Sequence, residues 1–201
     1  MASVSSNTFS NFLLILLAIS FHINSSSAGR NLAQTTSTEF IRTSCSTTTY
    51  PRLCYSSLKI HASKIQTSPM LLANAALNVT LASTRSTSTM MQKLSKSHGM
   101  KPREVSAMQD CMDELTDSVD ELRKSIDELG KAQGSKFGLM MNDVQTWVSA
   151  ALTDESTCSD GFAGSTMNGE LKTLVRQQTV KIAHLTSNAL SLVNSYASVH
   201  G

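Results

Sequence analysis

Two interleaved sevenfold series constrain this chain more than any other feature. Val105, Met112, Val119 and Ile126 recur every seven residues, and Met108, Leu115, Leu122 and Leu129 repeat three places on, marking the a and d positions of a long amphipathic helix. Positions b, c and f carry Asp110, Asp113, Glu114, Asp117, Asp120, Glu121, Asp127 and Glu128. One face is oily and the other acidic, and carboxylates on outer positions are expected to keep close to ordinary acidity. A turn rich in glycine (Gly130, Gly134, Gly138) follows. A second stripe then runs through Val144, Trp147, Val148, Ala151 and Leu152, opened by Asn142 with Gln145 three places later, as a capping box would set them. Together they predict a helical hairpin.

Cysteine positions bear on that hairpin. Cys111 lies 18 residues before Leu129 and Cys158 lies 16 after Asn142, giving arms of about 27 and 24 Å. In an antiparallel pair the two thiols meet near the open end, with Cys111 at a g position on the edge of the seam. A bond there closes a loop and stabilises by about 4 kcal/mol on the chain-entropy model. Cys45 and Cys54 enclose the eight residues Ser46 to Leu53, where Tyr50-Pro51 suits a turn entering a helix. Four cysteines in a secreted chain read as two disulfides. Three connectivities are possible, of which pairing neighbours is the simplest. A zinc site is a poor alternative, because no C-x-x-C occurs and His61, His98, His184 and His200 are scattered.

The N-terminus supports secretion. An apolar run from Phe12 to Ile19 precedes Ser26, Ser27 and Ala28, whose small side chains fit cleavage before Gly29. That run is too short to span a bilayer, and no later stretch is apolar enough to do so. Residues 1–28 are thus expected to be a signal peptide, 29–37 a flexible polar leader and 38–198 one helical domain. With 201 residues, only 5% aromatic and much Ala, Ser and Leu, the domain should be all-α. A net charge of +2 excludes nucleic acid as the obvious partner, although nine of fifteen acids crowd between Glu104 and Glu128.

Thr38 is read as the cap of a short helix through Glu39, Phe40 and Ile41, and helical pattern resumes after Pro51 with Leu53, Leu58 and Ile65. Ser68-Pro69 then reads as N-cap and N1 of a long helix, with a weak stripe of Leu72, Ala75, Val79, Ala82 and Ser86 that ends before Gly99 and Pro102. The last helix follows a loop at 159–169 and carries Leu171, Val175, Ile182, Leu185, Ala189, Leu192, Tyr196 and Val199, interrupted by Gln178. Met70–Ser97, Val105–Leu129, Asn142–Cys158 and Leu171–Val199 make an up-down four-helix bundle, preceded by an N-terminal helical hairpin and holding two disulfides. Asn78-Val79-Thr80 is an N-glycosylation sequon that requires Asn78 on the solvent face; Asn24-Ser25-Ser26 also matches and should leave with the signal peptide.

Catalysis would need a nucleophile with its base, paired carboxylates or a metal. The sequence has no G-x-S-x-G and no phosphate-cradling glycine loop, and its cysteines are expected to be oxidised. No enzyme, cofactor, metal or small-molecule substrate is indicated; a binding protein is.

Several motifs together carry a family likeness: Cys45-x8-Cys54 with Tyr50-Pro51, Asp110-Cys111, the run from Trp147 to Thr153 ending in Thr157-Cys158, and Leu185-Thr186-Ser187-Asn188-Ala189-Leu190. From Thr38 to Ala197 the chain resembles the plant invertase and pectin methylesterase inhibitor family. The resemblance implies a four-helix bundle behind a helical hairpin, with neighbour-paired disulfides. Family members that inhibit invertase typically show Pro-Lys-Phe before the last helix, and residues 159–169 here lack it. The run from Thr146 to Thr153 is more similar to the pectin methylesterase inhibitors. With Gly201 as the last residue, the expectation is a free-standing, reversible, extracellular inhibitor of pectin methylesterase in the apoplast and cell wall. The alternatives are an inhibitor of acid invertase and a non-inhibitory structural wall protein. The resemblance also implies that the second to fourth bundle helices cover the enzyme's cleft. Asp113, Gln145 and Thr157 fall at contact-like places, with Asp117 and Asp120 extending the same outward face.

Overall fold

The computed structural model describes residues 34–164, 167 and 169–200. The expected signal peptide, the Asn24 sequon and the start of the leader lie outside the described residues. Helix α1 is already under way at residue 34 and runs to 46, so residues 34–37 are helical, with Ser37 buried. Thr38 is inside this helix and caps nothing; its hydroxyl donates to the carbonyls of Gln34 and Thr35. Helix α2 (Pro51–Leu58) starts on its proline, and a 3-10 turn (Lys59–His61) leads into the short α3 (Ala62–Ile65). The Cys45–Cys54 disulfide joins α1 to α2 and closes the hairpin.

Four long helices follow: α4 (Pro69–Leu94), α5 (Pro102–Leu129), α6 (Phe137–Gly161) and α7 (Glu170–His200). They form a closed up-down ring in which α4 packs on α5 and α7, and α6 packs on α5 and α7. Among the described residues there is no strand and no helix long and apolar enough to cross a membrane. Helix α4 begins as expected, with Ser68 accepting a hydrogen bond from the Leu71 amide ahead of Pro69. At the head of α5 the Glu104 carboxylate reaches back to the Lys101 amide at 2.8 Å, and Pro102 supplies N1.

Three helix boundaries and faces differ from the sequence reading. First, α6 starts at Phe137, so Asn142 and Gln145 are interior residues and form no capping box. A carboxamide inside a helix has no free amides to cap, and both side chains are left to make other contacts.

Second, the seam of α5 is rotated. The fully buried row is Met108, Cys111, Leu115, Ser118, Leu122, Ser125 and Leu129, the d and g positions, while Val105 is 49% exposed and Met112 and Ile126 are half-buried. Cys111 is consequently at the centre of the contact, not at its edge. Small side chains at 111, 118 and 125 let α6 approach closely, and at the Cys111–Cys158 disulfide the two Cα atoms are 4.3 Å apart. Of the larger apolar residues at the a positions only Val119 stays buried, and Val105, Met112 and Ile126 are at the margin of that narrow contact.

Third, α4 buries Leu72 as expected, but with it Ala73, Ala76, Leu77, Thr80, Leu81, Thr84, Thr87, Ser88 and Met91, whereas Ala82 and Ser86 are exposed and Ala75 and Val79 are at the margin. Thr80 and Thr84 can be buried because each hydroxyl bonds the carbonyl one turn back: Thr80 donates to Ala76 and Thr84 to Thr80. In α7 the interruption expected at Gln178 is resolved by Thr179, which is fully buried and continues the row from Val175 to Ile182 and Thr186.

Candidate functional site

Rotating α5 changes what its carboxylates do. Glu114 and Glu121, at c positions, are turned towards α6 and are only half exposed. Asp154 of α6 faces them: its carboxyl is pushed up to about 7 by burial, by the charges of Glu121, Glu114 and Asp117, and by a hydrogen bond to Glu114. Burial also raises Glu121, with Lys124 opposing and Asp117 reinforcing the shift. One oxygen of Glu121 is buried without a hydrogen-bond partner. Four carboxyl groups thus share one edge of the α5–α6 pair, and among the outer carboxylates of α5 the expectation of near-ordinary acidity fails at Glu121.

A fifth acid lies one residue further on, inside the bundle. Glu155 is fully buried, in the row Val144, Val148, Ala151, Glu155 and Cys158 of α6. Its carboxyl meets one hydroxyl from each of the other three helices: Thr84 of α4 and Ser118 of α5 at 3.0 Å from Oε1, and Thr186 of α7 at 2.6 Å from Oε2. Among the described residues no lysine or arginine is paired with it, and burial pushes its carboxyl up to about 7 although the three hydroxyls oppose the shift. Thr84 and Thr186 also contact the carbonyls of Thr80 and Ile182, at 3.1 Å in both cases. One hydroxyl proton cannot serve two acceptors fully, so a protonated Glu155 that donates to Thr186 frees the Thr186 proton for Ile182. The centre is satisfied best when Glu155 is neutral.

Asp154 and Glu155 were not singled out from the sequence. The signal was present for one of them: Glu155 stands three places before Cys158 and four after Ala151, which puts a carboxylate within an apolar stripe.

Of the expected contact residues, Asp113, Asp117 and Asp120 are exposed on α5 and Thr157 is exposed on α6. Asp113 accepts a hydrogen bond from Gln109 at 3.2 Å, and Asp120 pairs with Arg123 at 2.7 Å. Asp117 is drawn instead into the field of Asp154 and Glu121. The disulfide brings Thr157, whose hydroxyl donates to the Thr153 carbonyl, to the Asp113 end. Gln145 is not with them. It is 12 residues before Thr157, about 18 Å along the helix, and its side chain donates to Asn194 of α7 at 2.9 Å.

The late run in α7 has three separate duties. Thr186 reaches Glu155, the Ser187 hydroxyl lies 3.4 Å from that of Thr49, and Asn188 bonds both the amide and the carbonyl of Tyr50. His184 stacks on the Tyr50 ring with centroids 3.6 Å apart, and burial lowers its pKa. Between this stack and Asp160 and Arg176 a shallow cleft of about 400 Å³ opens at the α6–α7 face. Among the described residues no three acidic, histidine or cysteine groups converge as a metal would require, and all four cysteines are in disulfides, 45 with 54 and 111 with 158.

Residues 39–192 match the family described as plant invertase/pectin methylesterase inhibitor. The chain is similar to a 21 kDa protein of Daucus carota, 46% identical over 165 residues that cover 81% of this chain and 86% of the relative. It is also similar to pectinesterase inhibitor 11 of Arabidopsis thaliana, 42% identical over 94% of this chain and 96% of the relative. Among solved structures, a mutant form of a pectin methylesterase inhibitor from Arabidopsis superposes with a TM-score of 0.61 at 24% identity, covering 75% of this chain and 92% of that one. That likeness concerns the fold.

Proposed function

Because this chain belongs to the plant invertase/pectin methylesterase inhibitor family, we propose that it is a secreted inhibitor of pectin methylesterase that caps the enzyme's substrate cleft with α5 and α6. Relatives named as pectinesterase inhibitors, pectinesterase inhibitor 11 at 42% identity and pectinesterase inhibitor 9 at 45%, support the target, and the chain itself is not an enzyme. One observation carries the mode: Asp113, Asp117 and Thr157 are exposed together on a helix pair clamped by a disulfide. A rigid acidic ridge of this kind suits a basic rim around a cleft that binds an anionic polymer. Charge of opposite sign speeds encounter and fixes register more than it adds affinity.

Inhibition is stoichiometric and reversible, burying something like 800 Å² on each partner. It limits demethylesterification of pectin in the cell wall. A side-by-side titration against pectin methylesterase and acid invertase tests the reading: esterase activity should fall to its floor at one inhibitor per enzyme while invertase is untouched. Activity should return after the complex is dissociated and dialysed. Inhibition of invertase alone, or an adduct retained in mass spectrometry of the denatured enzyme, would count against it.

A further inference from the structure

We propose that Asn78 carries an N-linked glycan whose first sugars lie in the groove between α3 and α4. The inference goes beyond inhibition and rests only on the secretory part of the function proposed above. Asn78-Val79-Thr80 is the single Asn-x-Ser/Thr run after residue 28. Asn78 is exposed on the outer side of α4, and its Nδ2 donates to both the carbonyl and the side-chain oxygen of Asn74, at 2.8 and 2.9 Å. A substituted amide keeps one N–H, so one of these bonds survives attachment.

The position beside the groove gives the sugar somewhere to lie. Asn78 lines a groove of about 510 Å³ whose apolar side is Leu71, Ala75 and Val79, with His61 and Lys64 on the α3 side. Leu71 is 37% exposed and Ala75 and Val79 are half-buried. An N-acetylated pyranose has an apolar C–H face for such a wall, and hydroxyl and amide groups for the imidazole and ammonium opposite. A ligand tethered at the wall also binds intramolecularly, so weak contacts suffice to seat it.

Attachment must precede folding. Thr80, the third residue of the run, is 1% exposed and its hydroxyl is bonded to the Ala76 carbonyl. A transferase that reads that hydroxyl needs an extended chain, as it emerges into the secretory compartment. There Nδ2 of Asn78 attacks C1 of an oligosaccharide carried on a polyprenyl pyrophosphate. The N–C1 bond forms, the bond from C1 to the pyrophosphate oxygen breaks, and one amide proton is lost as the lipid pyrophosphate departs; nothing is oxidised or reduced.

Expression of the full chain in a plant cell line, followed by mass spectrometry of medium and cell fractions, tests the site. The secreted protein should carry a glycan at Asn78 that an amidase removes, leaving aspartate at position 78. Asn78→Gln and Thr80→Val should lose the mass shift, while Thr80→Ser should keep it. Secreted wild type unmodified at Asn78 overturns the site while sparing the inhibitor reading; a chain retained in the cell without glycan overturns it together with the secretory routing. Hydroxyl-radical footprinting tests the seat: Leu71 and His61 should label severalfold less in the glycosylated protein than in Asn78→Gln. Equal labelling removes the sugar from the groove.

Discussion

Asn188 holds Tyr50 as a second peptide group would: the Tyr50 amide donates to Oδ1 at 2.9 Å and Nδ2 donates to the Tyr50 carbonyl at 3.1 Å. Both partners are largely shielded from water, and the pair fastens the N-terminal hairpin to the last helix. Asn188→Ala strands the Tyr50 amide, while the carbonyl keeps its bond from the Cys54 amide, and the unmet group costs about 1–3 kcal/mol. Asn188→Asp keeps the acceptor but sets a carboxylate oxygen against the Tyr50 carbonyl. Both variants should be cut faster by protease at residues 47–50 while the four long helices retain their hydrogen-exchange protection; unchanged cleavage would show that the hairpin is held by other contacts.

The buried carboxyl predicts the direction of pH dependence. Glu155 has a folded-state pKa raised from 4.5 to about 7, so the native state binds the extra proton between those values. Its contribution is fully present below pH 4.5 and is lost as pH rises through about 7. The full loss corresponds to on the order of 3 kcal/mol. Asp154, raised by burial and its acidic neighbours, acts in the same direction but is more exposed and weighs less. Urea melts at pH 5 and pH 8 should show the protein more stable at pH 5, and Glu155→Gln should flatten the difference. A protein equally stable at both values would mean that Glu155 remains ionised.

Removing a hydroxyl from the same centre isolates its worth. Thr186→Val keeps the shape but takes away the 2.6 Å contact, and should destabilise by about 1–3 kcal/mol. Thr186→Ser, which retains the donor, should stay closer to wild type. The double variant Thr186→Val with Glu155→Leu should recover part of the loss, because no buried carboxyl is left unmet, and only part because Ser118 loses its partner.

The two disulfides should differ in weight. Cys111–Cys158 spans 47 residues and Cys45–Cys54 spans nine, so removing the larger loop costs about 4 kcal/mol and the smaller about 3 kcal/mol on the chain-entropy model. Chemical denaturation of the two paired Cys→Ser variants checks the order.

For the contact surface, Asp113→Ala, Asp117→Ala and Thr157→Ala should each weaken inhibition of pectin methylesterase, by about thirtyfold for a well-paired charge, about 2 kcal/mol. Glu128→Ala, near the far turn beside Lys131, should not. Raising salt should slow association with the wild type and affect Asp117→Ala less. Equal inhibition by all four variants would take this face out of the interface.

Helix number, order and type were legible because period and punctuation agreed: Ser68-Pro69 begins a helix where its chemistry allows, whereas Pro102, read as part of the stop after α4 with the next helix from Val105, is itself the first residue of α5. Faces were less legible. In α5 the a and d rows are both apolar, and sequence alone gives no reason for the small g row of Cys111, Ser118 and Ser125 to take the centre. That choice belongs to the neighbouring helix, which approaches closely only over small side chains. The same ambiguity misplaced the α4 stripe, where threonines that satisfy their own hydroxyls count as core. The acidic edge followed from the rotation, so Glu114, Glu121 and Asp154 could be seen together only in three dimensions. The exposed row of Asp113, Asp117 and Asp120, by contrast, was readable from spacing.

The meeting of Thr84, Ser118 and Thr186 on Glu155 acts as a vernier for the bundle. Much of the buried surface of α4 is alanine, serine and threonine, whose smooth relief resists slippage poorly. On α4 a one-turn slide brings Thr80 or Ser88 to the place of Thr84, but on α5 or α7 it moves Ser118 or Thr186 about 5.4 Å, beyond any hydrogen bond, and brings Leu115 or Leu122, Ile182 or Leu190, in its stead. A bundle misaligned at α5 or α7 therefore leaves a buried polar group unmet, while the aligned one leaves none at this centre. The carboxyl does not so much strengthen the fold as disqualify its nearest impostors.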